Sequence, residues 1–289
     1  MISKQQLRDA VQSLGLSGKN VWINSSMRSF GEPVEDGADG LIDAFLDEGC
    51  TVIAPTFTLF SHSVRPINPD MIPAQNAYSC MEYQVRRYGD HRGKVFDPST
   101  NETDANLGVF TQRLVAREGR CRGNHPLISN TAVGPNAERM VRGQDRLHPY
   151  APMQNLYDAD GLTLQLGVSM EKQTVIHLAE TWLGKNPILR WATMPNGKIL
   201  PVKMSWCSDG FEVFEPYMKE FEKQCTVGQS VWKCYPVRQL AETCYRLMKE
   251  NPHIADAHRR GCAWCRDCER GGPLIDADFW TRYGKQAEL

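Results

Sequence analysis

Three side chains that can donate or accept a hydrogen are spaced three residues apart in the segment 172–184: Thr174, His177 and Glu180. The segment, KQTVIHLAETWLG, has the apolar periodicity of a helix that ends at a glycine. Three-residue steps place such side chains on adjoining parts of one helical face. A histidine beside a carboxylate is suited to general base catalysis near neutral pH. An exposed helical histidine with an incidental glutamate would show the same spacing, so the pattern alone leaves both interpretations open.

A second candidate site is the motif Cys-x2-Cys-x2-Cys formed by Cys262, Cys265 and Cys268. Seven of the ten cysteines lie between residues 207 and 268, and such clustering favours a metal site over scattered buried thiols. Thiolates at this spacing can bind one tetrahedral ion, and Zn²⁺ is the usual occupant of closed sulfur-rich sites. An iron–sulfur cluster would need a fourth cysteine, and no Cys-Pro pair follows as in ferredoxins. Reduced thiols in a loose tail are the alternative to structural zinc.

The composition of the 289-residue chain is that of a globular protein. Its 33 Lys and Arg residues and 34 Asp and Glu residues give a net charge of −1, and 41% of the residues are hydrophobic. Near-neutral charge provides no field for gripping nucleic acid or an anionic membrane. The sequence shows neither the apolar core of a secretory signal nor a run near the ~18 apolar residues of a membrane helix. We therefore expect a protein of the reducing cytoplasm, without disulfides.

The elements that would position these residues begin with a strand–turn–helix–strand unit. NVWIN (20–24) and CTVIAPTFT (50–58) are predicted to be buried strands, and GLIDAFLDEG (40–49) has helical periodicity. Two strands joined through a helix imply a parallel sheet with a right-handed crossover. Open α/β sheets bind ligands beyond the carboxyl ends of their strands. We therefore expect the turn after Asn24 and the segment after Pro55 to lie at a functional site.

The sequence patterns in the rest of the chain predict more helices than strands. An Asn196-Gly197 pair between two apolar runs is typical of a β-hairpin. The segment 59–105 has no clear period, which is typical of a functional loop or an insertion. Further periodic segments predict a strand over 162–168 and helices over 4–15, 107–119, 135–143, 172–184, 212–224 and 236–250.

Four segments, in this order, resemble the aminoglycoside 3-N-acetyltransferase family, which is distinct from acetyltransferases of the GNAT fold. They are INSSMRSFG with the helix start after it (23–45), VIAPTFT (52–58), FDPST with LGVFTQRLVAREGRCRGNHPLISNTAVGPNA (96–137), and LQLGVSMEKQTVIHLAE (164–180). The resemblance covers roughly residues 4–250. It implies a three-layer α/β/α fold whose central sheet is mostly parallel, with a small C-terminal subdomain of hairpin and helices that carries a zinc clip.

The resemblance also implies one domain over residues 1–289. Its CoA-binding and catalytic core would be 1–185, and its acceptor side and Cys-rich subdomain would be 186–289. The expected partners are CoA and a small-molecule amine, with no nucleic acid and no membrane, and both a monomer and a homodimer remain open.

The resemblance implies acetyl-CoA as the acyl donor. A strand-to-helix turn with free N–H groups suits its pyrophosphate. The matching turn here predicts contacts from Ser25, Ser26, Met27, Arg28, Ser29, Phe30 and Gly31, with Arg28 adding a positive charge. Simple turn capping is the alternative for the first two serines. Asn24 departs from the family, which usually has histidine there.

His177 matches the family's catalytic histidine. The implied reaction is direct transfer in a ternary complex, in which His177 removes the proton of the attacking amine. Glu180 is expected to hold the imidazole in the required tautomer, and Asp90 loosely matches a second acidic residue of the family. His125 matches a family histidine, with a structural or cofactor-contact role expected. Thr174 is expected near the thioester oxygen or the pantetheine arm.

The acceptor pocket is where this sequence fits the family least well. Aminoglycosides are polycations, and their enzymes commonly line the pocket with acidic residues. The expected acidic contacts after the hairpin are Asp209 and Glu212. Cationic residues of the insertion would repel such a drug if they pointed inward: Arg65, Arg86, Arg87, His91 and Arg92. An N-acyltransferase for another amine, with a carrier protein as a possible acyl donor, is therefore the alternative.

The resemblance also bears on the zinc ligands. Some family members carry a cysteine pair in the tail and further cysteines after the hairpin, so Cys207 is the expected distant ligand beside Cys262, Cys265 and Cys268. His258 and Cys234 are alternatives. A noncatalytic zinc-stabilised module is the other functional class, against which the pairing of His177 with Glu180 speaks. A cysteine-nucleophile transferase is disfavoured, because no cysteine lies next to a suitable histidine in a strand–turn–helix elbow.

Overall fold

A seven-stranded sheet runs through the part of the chain that the computed structural model describes, residues 1–65, 93–185, 187–204 and 207–255. The strands are β1 (Asn20–Ser25), β2 (Thr51–Pro55), β3 (Ser63–Val64), β4 (Cys121–Arg122), β5 (Asn130–Val133), β6 (Leu162–Leu166), β7 (Ile188–Thr193), β8 (Ile199–Met204), β9 (Lys223–Val227) and β10 (Ser230–Pro236). The large sheet has the order β4-β5-β2-β1-β6-β10-β9. Its central strand β1 is parallel to both β2 and β6. The flanking pairs are antiparallel.

Helices cover both faces of this sheet. They are α1 (Lys4–Ser13), α2 (Gly37–Asp47), α3 (Leu59–His62), α4 (Gly108–Val115), α5 (Ala137–Val141), α6 (Ala151–Asp158), α7 (His177–Trp182), α8 (Glu215–Met218) and α9 (Val237–Glu250). One apolar cluster joins α1, α2 and α4 to one face, and a second joins α5, α6, α7 and α9 to the other. The three-layer α/β/α arrangement is therefore confirmed.

Local sequence patterns explain why these elements form. The middle residues of β1, from Val21 to Asn24, are buried, as expected for a strand covered on both faces. Along α9, Leu240, Cys244 and Leu247 recur at helical spacing and are all buried against the sheet. Burying one leucine side chain stabilises the fold by about 2 kcal/mol. Packing of such a stripe, more than helix propensity, holds α9 in place.

The C-terminal part differs from the sequence prediction. Strands β9 and β10 extend the central sheet, with Cys234 of β10 opposite Leu164 of β6, so they do not belong to a separate subdomain. The helix predicted over 212–224 is also wrong in its second half. A 3-10 helix (Phe211–Phe214) leads into the short α8, and Lys223 already belongs to β9. Strand β10 covers the edge of β6 and β9 pairs with β10, so strand pairing decides the conformation there.

The predicted hairpin is confirmed. Strands β7 and β8 pair antiparallel around Asn196-Gly197, where Gly197 takes a positive φ of 79° that favours glycine. With β3 they form a three-stranded sheet, and Ile188, Ala192 and Val202 pack on Leu127 and Ile128 of the core. The single-domain assignment for 1–289 stays a prediction, because residues 256–289 lie outside the described chain. No described helix is long and apolar enough to cross a membrane.

The segment predicted as one helix over 172–184 is divided. Short 3-10 helices span Met170–Lys172 and Thr174–Ile176, and the α-helix α7 begins only at His177. The step from Thr174 to His177 is therefore a 3-10 turn, while the step to Glu180 is the first turn of α7. This break places His177 at the start of a helix.

Candidate active site

The candidate site lies where the central parallel strands end. The carboxyl ends of β1, β2 and β6 meet at one edge, as expected for parallel neighbours. Three segments leave the sheet there: the turn after Ser25, the segment after Pro55 and the chain from Gly167 to His177. Residues far apart in sequence therefore meet at this edge.

His177 and Glu180 form a buried hydrogen-bonded pair. Nδ1 of His177 lies 2.5 Å from Oε2 of Glu180, and each side chain is only 2% exposed. The ring of His177 also packs against Phe211, with ring centres 5.0 Å apart, and against Tyr150 at 5.7 Å. The two aromatic rings and the carboxylate fix the orientation of the imidazole.

Glu180 also accepts a hydrogen bond from Lys185, whose Nζ lies 3.1 Å from Oε1. Burial raises the pKa of Glu180, but the hydrogen bonds and charges of His177 and Lys185 outweigh it, so the pKa is lowered overall. An ionised carboxylate can only accept hydrogen bonds. Nδ1 of His177 therefore carries the proton, and Nε2 is the basic atom of the ring.

A small enclosed cavity lies beside His177. It is lined in part by Asn130, Tyr150 and Thr174, and its volume of about 10 Å³ has room for one water-sized group. The buried atoms Oγ1 of Thr174 and Oδ1 of Asn130 have no hydrogen-bond partner among the described residues. Buried polar atoms are nearly always paired. The cavity is therefore suited to a polar group that the protein itself does not supply.

A larger, mainly apolar pocket of about 490 Å³ adjoins this cavity at Pro149 and Tyr150, which line both. Its volume is within the usual range for small-molecule sites. Lys185 and Lys203 also line it. This part of the site is therefore apolar with positive charges on its wall.

The turn after β1 is a 3-10 helix, Met27–Phe30, that ends at Gly31 in the left-handed region. Arg28 is exposed, and Ser25, Ser26 and Met27 are half-buried. The backbone N–H groups of the first residues of a helix have no acceptor within the helix. Phe30 is fully buried against Trp232, so only its backbone remains for a ligand.

The turn between β9 and β10 covers this segment. The N–H of Gln229 donates to the carbonyl of Phe30 at 3.0 Å, and the hydroxyls of Ser29 and Ser230 lie 2.7 Å apart. Ser29 also donates to the carbonyl of Ser26 at 2.6 Å. Its hydroxyl is therefore committed to holding the turn in place.

His125 is fully buried, and both of its ring nitrogens contact the main chain. Nε2 lies 2.9 Å from the carbonyl of Lys203, and Nδ1 accepts the N–H groups of Leu127 and Ile128. Burial lowers the pKa of His125 to about 4. This geometry fits the structural alternative and leaves neither ring nitrogen for a cofactor.

Residues 22–249 match the model of the aminoglycoside 3-N-acetyltransferase family, and this match decides the family. The chain belongs to this family. Aminoglycoside N(3)-acetyltransferase III from Salmonella sp is 29% identical over 197 residues, which are 67% of this chain and 65% of the relative. The match thus spans about two thirds of that relative's length.

Solved structures of family members share the fold. The aminoglycoside acetyltransferase AAC(3)-IVa, as an apoenzyme, superimposes with a TM-score of 0.75 at 24% identity, over 93% of this chain and 97% of that one. The binary complex of AAC-IIIb with CoASH gives 0.69 at 19% identity, over 86% and 96%. At these identities the likeness establishes the fold.

The residues predicted to lie on the acceptor side flank Phe211, the ring that packs on His177. Asp209 is half-buried and Glu212 is exposed. They lie at the start of the 3-10 helix Phe211–Phe214, which carries the ring in contact with His177.

The predicted zinc clip lies mostly outside the described residues. Cys207 is half-buried directly after the gap that follows β8, whereas Cys262, Cys265 and Cys268 are not described. Within residues 1–65, 93–185, 187–204 and 207–255, no group of three His, Cys, Asp or Glu side chains could hold a metal ion. Asp90, the looser catalytic match, also falls outside the described chain.

Sequence reasoning missed several residues of the site. Nothing in the pattern singled out Asn130, Tyr150 or Lys185. Asp104, which holds the segment after Pro55 in place, was missed as well. It accepts the N–H groups of Leu59 and Phe60 at 2.9 and 3.2 Å, and burial raises its pKa to about 6. A polar residue at the start of a buried strand was the available signal for Asn130.

Proposed function

We propose that this protein is an acetyl-CoA-dependent N-acetyltransferase that acts on an amine of an aminoglycoside, with His177 as general base. The observation that carries the proposal is the buried His177–Glu180 pair beside a cavity with unpaired polar atoms. Family membership supports the reaction class. A buried imidazole held by an ionised carboxylate is the arrangement that proton removal from a nucleophile requires.

The proposed reaction is a direct transfer. An ammonium cannot attack, so the acceptor first loses one proton to solvent. The nitrogen lone pair of the neutral amine then forms a bond to the acetyl carbon while Nε2 of His177 takes a second proton, and the carbonyl electrons move onto oxygen. When the carbonyl re-forms, the carbon–sulfur bond breaks and the sulfur takes the proton from His177. The products are the acetamide and the CoA thiol.

The developing charge on the acetyl oxygen needs a hydrogen-bond donor. Thr174 is the candidate, because its buried hydroxyl has no partner among the described residues and lines the cavity next to His177. A donor already in place stabilises the oxyanion without reorganisation.

The donor site is proposed at the turn from Ser25 to Gly31. It lies at the carboxyl edge of the parallel strands, and its exposed Arg28 can meet a phosphate. Ser25, Ser26 and the N–H groups of Met27 and Arg28 are the expected contacts. Ser29 and Phe30 would support the turn, since their side chains already hold it to β10.

A second candidate is an N-acyltransferase for an amine that is not an aminoglycoside. The observation that favours it is the pair of lysines, Lys185 and Lys203, on the wall of the large pocket beside His177. Lys185 is already paired with Glu180, but none of the described residues that line the pocket is acidic, so its wall offers a polycation no counter-charge. Asp209 and Glu212 beside Phe211 favour the aminoglycoside instead.

The structural zinc clip of Cys207, Cys262, Cys265 and Cys268 stays a proposal supported by cysteine spacing. Metal analysis of protein purified without added metal tests it. About one equivalent of zinc is expected, and less than about a tenth of an equivalent contradicts it.

The proposed function is tested by thiol release from acetyl-CoA across aminoglycosides and simple amines, with product mass as the second readout. We expect wild-type turnover with at least one amine and a loss on the order of a thousandfold in His177→Ala. His253→Ala is the matched control, because this histidine is exposed and lies outside the site. Near-normal turnover in His177→Ala contradicts the role of His177. Preference for a simple amine over every aminoglycoside supports the second candidate.

A further inference from the structure

Asn130 is a buried residue whose main chain is well held and whose side chain is not. It begins β5, opposite Pro55 of β2, and is 1% exposed. Its N–H donates to Oε1 of Gln144 and its carbonyl accepts from Gly123, both at 2.9 Å. Oδ1 has no partner among the described residues. An unpaired buried acceptor lowers stability, so its presence calls for a ligand.

The side chain of Asn130 points to the face of the sheet that carries His177. Side chains alternate along a strand, so Asn130 shares a face with Ala132. Ala132 belongs to the apolar cluster that includes Tyr150, Met153 and Ile176. Asn130 also lines the enclosed cavity together with Thr174 and His177. The unpaired carboxamide therefore lies at the place where the reaction would occur.

The three polar side chains around this cavity differ in what they offer. Thr174 has a hydroxyl that can donate, whereas Nε2 of His177 and Oδ1 of Asn130 are acceptors. One donor fits the acetyl oxygen, and two acceptors fit a nitrogen with two hydrogens. We propose that Oδ1 of Asn130 accepts one N–H of the attacking amine while His177 accepts the other, so that the lone pair points at the acetyl carbon. The proposal rests on the proposed transferase function and names a residue that contacts the acceptor nitrogen.

This arrangement also predicts selectivity. A primary amine satisfies both acceptors, but a hydroxyl has one proton and would leave Asn130 unpaired. Sites built to bind a polar hydrogen reject analogues that lack it, because a buried group then has no partner. Asn130 should therefore favour amines over alcohols of the same shape.

The test uses Asn130→Leu, which keeps the size and removes the acceptor, and Asn130→Asp, which keeps an acceptor oxygen. For the best amine of the panel, we expect kcat/KM to fall about 10- to 100-fold in Asn130→Leu. Asn130→Asp should recover at least about tenfold of that loss, since its carboxylate still accepts an N–H. The preference for the amine over its hydroxyl analogue should narrow by about tenfold in Asn130→Leu.

Thermal unfolding separates this role from a structural one. Asn130→Leu removes an unpaired polar atom, so its midpoint should equal or exceed that of the wild type. Thr131→Val is the matched control: it is the next residue, is fully buried, and its hydroxyl bonds to Thr56 at 2.9 Å. We expect it to lower the midpoint and leave kcat unchanged.

Each outcome decides the inference. If Asn130→Leu keeps the kcat/KM and the selectivity of the wild type, the inference is overturned. The proposed function still stands in that case, because the wild-type protein is active. Equal losses in Asn130→Leu and Asn130→Asp also overturn it, because the NH₂ group would then be the one that matters. An inactive wild type with every amine overturns the proposed function and this inference together.

Discussion

Two of the buried histidines in the described part of the chain, His125 and His177, have opposite kinds of surroundings. His125 uses both ring nitrogens on main-chain groups, and burial lowers its pKa to about 4. His177 gives one nitrogen to a carboxylate and lines a cavity with unpaired polar atoms. Burial is therefore not what separates a structural histidine from one suited to proton transfer. The difference lies in whether a carboxylate orients the ring and what its second nitrogen faces.

The largest effect that tests this comparison is expected for Glu180→Gln. The glutamine NH₂ can donate to Nδ1 of His177, which moves the ring proton to Nε2 and removes the base. We expect kcat to fall on the order of a thousandfold with little change in the melting midpoint. Steady-state kinetics measure it, with the exposed Glu138→Gln as control. A kcat within about threefold of wild type would show that the carboxylate does not select the tautomer.

The second-largest effect is expected on the stability of a His125 variant. His125→Asn should lower the free energy of unfolding by about 3 kcal/mol, because hydrogen bonds and packing are lost, while the remaining folded enzyme keeps its kcat. Denaturant titration followed by kinetics on the folded fraction checks this. A large loss of kcat in folded His125→Asn would remove the contrast between the two histidines.

The pH dependence of stability sharpens the same point. The unfolded chain protonates His125 near its ordinary pKa, but the folded chain does so only at about 4, so stability falls as pH drops from about 6.5 towards 4. Relative to His125→Asn, the wild type should lose about 2 kcal/mol between pH 7 and pH 5. Parallel slopes for the two proteins would contradict the lowered pKa.

A smaller catalytic effect is expected for Thr174→Val, which keeps the shape and removes the hydroxyl. We expect kcat to fall about 10- to 100-fold with KM little changed, because the oxyanion exists only along the reaction path. Thr181→Val is a suitable comparison, since its hydroxyl bonds to the carbonyl of His177 within α7. If KM rises and kcat stays constant, Thr174 binds the donor instead.

The smallest effect is expected for Lys185→Met. Lys185 helps to lower the pKa of Glu180, so its removal raises that pKa. On acidification, the carboxylate would then become protonated at a higher pH than in the wild type. The acid limb of the kcat profile should therefore shift to higher pH. At neutral pH the loss should be less than about tenfold. A downward shift of the acid limb would contradict the sign of this interaction.

Much of the fold follows from local patterns, and the part that does not is held by pairing. The β1–α2–β2 unit and the β7–β8 hairpin have clear periods and turn signals, and both were predicted. Strands β9 and β10 were missed. Most residues of β9 are exposed, so it lacks the buried run of a core strand, and an amphipathic run before it continues the helical period past Met218. Strand β10 pairs with β6, which lies about 70 residues earlier in the chain, and β9 pairs with β10, so long-range pairing decides the conformation there.

The site divides in the same way. His177 and Glu180 are three residues apart, so their spacing revealed the pair. Asn130 and Tyr150 reach the same cavity from other elements, and the unpaired state of Oδ1 exists only in the folded chain. The helical prediction also obscured one point, since the break before His177 separates Thr174 from α7.

The hydrogen bonds between the β9–β10 turn and the segment after β1 have a consequence for synthesis of the chain. Gln229 and Ser230 hold Phe30 and Ser29 across about 200 residues of sequence. A nascent chain that has emerged only as far as residue 185 contains His177 and Glu180 but lacks the strands that hold this turn. Such long-range contacts form late and slowly. The proposed donor site is therefore completed only after β10 has left the ribosome.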